Sequence, residues 1–189
     1  MTNNVWCRVS LFLAIGLLAP ANASSATIAH AQAKHHQGRY LLSFEVVLDA
    51  ELDKVWQIMT DYEHFSRVSS SVVESRIIER VSENHHRVGI SSKSCILFFC
   101  QTVNKVEDIR ATPKTDIVIV IDAAQSDFSY SVEHWHLLAE GAKTRIFYSG
   151  EMEPNFFIPP VIGPWLVKSF FIEEIKATAV EVESLAGHE

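Results

Sequence analysis

The chain has 189 residues, 48% of them hydrophobic and 21% charged, with a formal net charge of −7. That length and composition suit one domain with a sizeable core. With 16 Lys and Arg against 23 Asp and Glu, and no basic cluster, nucleic acid is excluded as a partner and anionic lipid headgroups hold no electrostatic attraction.

The first feature along the chain is VSLFLAIGLL, Val9 to Leu18, preceded by Arg8 and followed by Pro20 and the small-residue run Ala21, Asn22, Ala23. This is the layout of a secretory signal peptide and predicts cleavage after Ala23, with export to the periplasm or the exterior. The run is shorter than the about 20 apolar residues that a bilayer span needs. An uncleaved interfacial helix is the competing reading. Ser24 to Gly38 (SSATIAHAQAKHHQG) is small, polar and without period, and reads as a disordered lead-in.

Folded sequence is expected over 39–186. Tyr40, Leu42, Phe44, Val46 and Leu48 alternate with more polar neighbours, the period of a half-buried strand. Asp49 is placed to cap a helix whose apolar residues Leu52, Val55, Trp56 and Met59 fall on one face. A second short helix is expected through Tyr62, Phe65 and Val68. Six β-rich segments follow, VVESRIIERV, RVGISSKSC, QTVNKVEDIRA, DIVIVID, YSVEHWHLLA and TRIFYSGEM, divided by short turn signals, which predicts an antiparallel meander.

Within that meander, Cys95 and Cys100 bracket ILFF. A continuous strand would hold their Cα atoms about 16 Å apart, whereas a disulfide needs roughly 4.4 to 6.8 Å. Pairing, favoured in an oxidising compartment, therefore requires a hairpin with Ile96 to Phe99 at its tip. Two buried free thiols in a strand are the alternative.

The chain ends on an amphipathic helix, with Phe171, Ile172, Ile175, Ala179, Val182 and Ala186 on one side. Before it runs PNFFIPPVIGPWLVKSFF, Pro154 to Phe171. Pro159, Pro160 and Pro164 bar one unbroken membrane helix, so the segment reads as a connector: Pro154 ends a strand and Pro164 fits the first helical turn. Strand, two helices, six strands and a long helix together predict an α+β fold, a curved seven-stranded antiparallel sheet wrapped on the C-terminal helix.

This order, and three stretches in particular, resemble the START-like helix-grip superfamily, in its polyketide cyclase/dehydrase and coenzyme-Q-binding branch. The stretches are VVLDAELDKVWQIMTDYEHFSRVSSSVVESRIIE, SVEHWHLLAEGAKTRIFYSGEMEP with its Trp135, and FFIPPVIGPWLVKSF opening the last helix. The resemblance spans about 39–185. It implies a hydrophobic ligand such as a lipid, quinone or polyketide, held between sheet and helix, and it carries no catalytic signature.

The candidate ligand-binding residues are Trp135, Tyr148, Met152, Phe156, Phe157, Ile162, Trp165, Lys168, Phe171 and Ile172. Phe156, Phe157, Ile162 and Trp165 are expected at the cavity rim, whose opening would admit the ligand. A 100° wheel places Lys168 on the cavity-facing stripe, where it can pair with an acidic headgroup; the favoured reading is that its stem covers apolar surface while the ammonium reaches water. Glu133 shares a strand face with Trp135 and Leu137 and would be an inward carboxylate with acid or base capacity; a solvated position at the sheet margin is favoured.

His134 with His136, and His85 with His86, can each supply two metal ligands, but no local motif supplies the rest, and outward surface histidines are the simpler assignment. No metal or other cofactor is expected. The leading expectation is a non-enzymatic exported carrier of an apolar molecule. The others are an enzyme using Glu133, Tyr148 or a histidine as acid or base, and a module whose exposed apolar rim makes transient contact with a protein or membrane.

Overall fold

A computed structural model of the chain describes residues 26–188 except 97, 98 and 160. The expected signal segment, 1–23, lies outside the described residues. The element order is β1 (Thr27–His36), β2 (Arg39–Leu48), α1 (Leu52–Thr60), β3 (Val72–Ser82), β4 (His85–Ile96), β5 (Phe99–Thr112), β6 (Asp116–Ile121), β7 (Phe128–Glu140), β8 (Lys143–Pro154) and α2 (Gly163–His188). The strands form one antiparallel sheet in the order β1-β2-β8-β7-β6-β5-β4-β3.

Three expectations are corrected here. The sheet has eight strands, because the lead-in expected to be disordered contains β1, which pairs with β2 from Thr27↔Val47 to His36↔Arg39. A tight turn makes this possible: Gln37 and Gly38 both take positive φ, at 51° and 83°, the pair of left-handed residues that a two-residue hairpin loop demands. The second helix is a single 3-10 turn, Phe65–Arg67. Asp49 also does not cap α1; Glu51 occupies that position without a side-chain bond, and the Asp49 N–H instead donates to Glu183 Oε1 at 2.7 Å.

The remaining alternations hold. On β2, Tyr40, Leu42, Phe44, Val46 and Leu48 are all buried on the concave side, and Val55, Ile58 and Met59 of α1 meet Ile175, Ala179, Val182 and Ala186 of α2 in the same core. The C-terminal end of the grip is fastened by polar contacts as well. Lys54 Nζ donates to the Ala186 carbonyl at 2.8 Å, satisfying an orphan acceptor of the last helical turn, and the buried Thr144 hydroxyl donates to the Ala50 carbonyl at 2.7 Å.

At the opposite end, the β4–β5 hairpin is closed by a Cys95–Cys100 disulfide between directly paired residues, with Cα atoms 4.0 Å apart. No described helix is long and apolar enough to cross a membrane.

Candidate functional site

The concave face of the sheet and the inner side of α2 enclose two adjoining cavities, of about 270 Å³ and about 360 Å³. The inner one lies toward α1 and the C-terminal half of α2, against Val46, Leu48, Met59, Ile109, Ile117 and Val182. The outer one lies toward the N-terminal end of α2, against Tyr40, Leu42, Phe128, Met152, Phe156 and Phe170. Strand periodicity explains the division. Successive inward residues on one strand pass from one cavity to the other, as Met152, Tyr148 and Ile146 do on β8 and Ser131, Glu133 and Trp135 on β7.

At the level where the cavities meet, six residues border both: Ser92, Lys105, Glu133, Tyr148, Phe171 and Glu174. Five of the six carry polar side chains, each from a separate element. Lys105 Nζ is ion-paired with Glu107, its inward neighbour two residues along β5, and lies 3.6 Å from Glu133 Oε1. The Tyr148 hydroxyl donates to Glu133 Oε2 at 3.2 Å. Glu174 accepts from the hydroxyls of Ser69 and Ser71, the latter at 3.0 Å, tying α2 to the loop before β3.

Burial sets the protonation chemistry of this waist. Glu107 and Glu133 are only 2% and 8% exposed. Burial pushes the Glu107 carboxyl above its ordinary range; the Lys105 ammonium opposes that rise and the Glu133 carboxylate adds to it. Burial alone would lower Lys105, but the charges of Glu107 and Glu133 outweigh it and hold the amine protonated. Tyr148 is raised well above the usual phenol value by burial and then by Glu133, so it stays a hydrogen-bond donor. Tyr62, at the inner cavity, is pushed up to about 12 by burial with a contribution from Glu107.

Glycine at 150 makes room for this arrangement. It falls on the same inward face of β8 as Tyr148 and Met152, and a Cβ there would collide with the Tyr148 hydroxyl. Tyr148 itself is held in an aromatic nest, stacked on Phe44 at 4.9 Å and edge-on to Trp135 at 4.6 Å between ring centroids.

Of the residues singled out from sequence, Trp135, Tyr148, Met152, Phe156 and Phe171 line the cavities. Phe157, Ile162 and Trp165 do not line them; they are exposed at 72%, 51% and 59% beside the outer mouth. Ile172 is half-buried outside the lining. Lys168 is exposed and borders neither cavity, so it is not on a cavity-facing stripe. The reason is a change of face along α2. Leu166, Val167 and Phe170 face the outer cavity, about a third of a turn from the stripe of Phe171, Ile175, Ala179 and Val182 that faces the inner one.

Among the described residues the cation lining the cavities is Lys105, and Glu133 is hydrogen-bonded but buried and inward, not solvated at the sheet margin. Sequence reading passed over Lys105 and Glu107, although both share the phase of Val103 and Ile109 on β5. His134 and His136 both bond Asp116 Oδ1 at 2.9 Å on the convex side, and His85 bonds Asp108 at 2.7 Å. Among the described residues no group of three or more His, Cys, Asp or Glu is arranged to hold a metal.

The sequence matches the family model for polyketide cyclase/dehydrase and lipid transport over residues 48–171. The chain belongs to that family. Its fold is similar to a START superfamily protein from Mycobacterium smegmatis, with a TM-score of 0.62 and 17% identity over 78% of this chain and 97% of the other. It is also similar to human StAR-related lipid transfer protein 5, with a TM-score of 0.59 and 12% identity over 85% and 89%. The Zhui aromatase/cyclase from Streptomyces sp. R1128 gives a TM-score of 0.57 and 11% identity over 79% and 93%. At these identities the structural likeness shows a shared helix-grip fold. No curated protein matches the sequence.

Proposed function

We propose that this member of the polyketide cyclase/dehydrase and lipid-transport family is an exported carrier that binds one hydrophobic small molecule or lipid between its sheet and α2. The observation that carries this reading is the pair of adjoining cavities walled mainly by aliphatic and aromatic side chains, with a few polar groups gathered at one level. Taken together their volumes fall within the roughly 300–1,000 Å³ of ligand sites. Export is supported by the apolar segment at 9–18 with its small-residue boundary and by the Cys95–Cys100 disulfide, which belongs in an oxidising compartment.

Ligand exchange takes place at the N-terminal end of α2. That end is held mainly by apolar contacts and the Glu174 bonds to Ser69 and Ser71, whereas the C-terminal end is pinned through Lys54 to the Ala186 carbonyl and through the Asp49 N–H to Glu183. Phe157, Val161, Ile162 and Trp165 form an exposed apolar rim beside the mouth, suited to transient contact with a membrane interface, where Trp and aliphatic groups partition.

The test is to fill the inner cavity. Ala179, 4% exposed on α2, lines it, and Ala179→Phe places a ring in its space. Binding of an apolar fluorescent probe should be lost in this variant while α2 and the sheet still fold by circular dichroism. Undiminished probe binding by the folded variant would place the ligand elsewhere. A second reading, an enzyme using the Tyr148–Glu133 pair as acid and base, draws on their 3.2 Å hydrogen bond; chemical change of the bound molecule over time would favour it.

A further inference from the structure

Resting on the reading of the cavities as a ligand site, we propose that the waist selects a neutral ligand carrying an alcohol in its interior, with an apolar segment on either side. The placement follows from the geometry. Ser92, Lys105, Glu133 and Tyr148 border both cavities, so a molecule filling both would carry its polar group partway along its length and would have no headgroup at one end.

The chemistry of that group follows from charge. Three carboxylates, Glu107, Glu133 and Glu174, approach the waist, and one ammonium, Lys105, is already engaged with two of them. An anionic group there would be desolvated among like charges. A second ammonium would lie against that of Lys105 and bear its own desolvation cost.

An alcohol avoids both penalties because one oxygen can accept from the Lys105 ammonium and donate to the Glu133 carboxylate. A ketone can only accept, which leaves the carboxylates without a new donor. The exposed Lys168 borders neither cavity, and the Lys105 ammonium at the waist is already engaged by Glu107 and Glu133.

The test uses three probes of nearly equal size: methyl stearate, methyl hydroxystearate with its hydroxyl at mid-chain, and the matching mid-chain ketone. Each displaces an apolar fluorophore from the full chain. The hydroxy ester should bind about tenfold more tightly than methyl stearate, the scale of one hydrogen bond to a charged group, and more tightly than the ketone. Glu133→Gln should bring the hydroxy ester's affinity closer to that of methyl stearate, read as the ratio of the two affinities within the variant against the same ratio in the unmodified protein.

Equal affinity for all three would overturn the inference and leave the carrier reading standing. A ketone equal to the alcohol would remove the donor requirement and so overturn it as well. Failure of all three to bind would defeat the carrier reading and this inference with it. Should Glu133→Gln fail to fold, the ligand series on the unmodified protein decides alone.

Discussion

Replacing Lys105 with Met tests whether the waist is electrostatically coupled as its distances imply. Lys105 pairs with Glu107 and lies 3.6 Å from Glu133, and those carboxylates are 2% and 8% exposed. Removing one partner of a buried pair costs about 3–5 kcal/mol, because the other charge remains in a poorly solvating place. Lys105 reaches cavity space, which admits some water, so the lower end, about 3 kcal/mol, is expected at neutral pH. With a urea slope of about 2 kcal/mol per molar, the midpoint falls by about 1.5 M.

The pH dependence gives a sharper signature. Glu107 already titrates above its ordinary value in the folded protein, and loss of Lys105 removes the one influence holding it down. The folded state then binds more protons than the unfolded one between the ordinary carboxylate range and the raised folded value, so stability is present below that window and declines as pH rises through it. Urea unfolding of Lys105→Met and the unmodified protein should therefore differ most at neutral pH and converge on acidification. Adding Glu107→Gln should restore much of the loss. A Lys105→Met protein as stable as its parent at neutral pH, with the same pH profile, would refute the coupling.

Other outcomes follow from the same structure. Gly150→Ala should displace the Tyr148 hydroxyl from Glu133, visible as a change in tyrosine near-ultraviolet circular dichroism, with loss of alcohol preference greater than loss of apolar probe binding. Lys168→Met should leave ligand affinity within about twofold, since the side chain lies outside the cavities. Replacing Cys95 and Cys100 with Ser opens a short loop, so a loss of about 2 kcal/mol and a drop of about 4–8 °C in Tm are expected, with the fold retained in thermal scans. Glu174→Ala should speed hydrogen exchange in the N-terminal half of α2 and quicken ligand release by freeing Ser69 and Ser71; unchanged exchange there would contradict the placement of the gate.

Much of this architecture was legible in the sequence because its segments have clean periods. The alternation from Tyr40 to Leu48 and the shared phase of Trp135 and Leu137 on β7 identified inward faces that the structure places in the core or cavity. The cysteine spacing likewise required a turn, and the disulfide spans it.

What was hidden had physical causes. β1 is composed mostly of small and polar residues with little core of its own; its order comes from pairing with β2 and from packing of Ile28, Ala31 and Ala33 at the core margin. Lys105 and Glu107 were passed over because two charges interrupt the apolar phase of Val103 and Ile109 on β5, and only the tertiary arrangement shows that this face meets a cavity. Lys168 fits an ideal helical stripe, but α2 changes the face it presents between the two cavities, a tertiary effect that a wheel does not contain.

The central claim, a carrier with an internal site for one apolar molecule, is tested most directly by native mass spectrometry of the protein purified from the cells that make it. The account predicts a retained neutral, largely apolar compound close to one per chain, released on denaturation and absent from Ala179→Phe. A chain that carries nothing, and that binds no apolar compound when offered one, would contradict it.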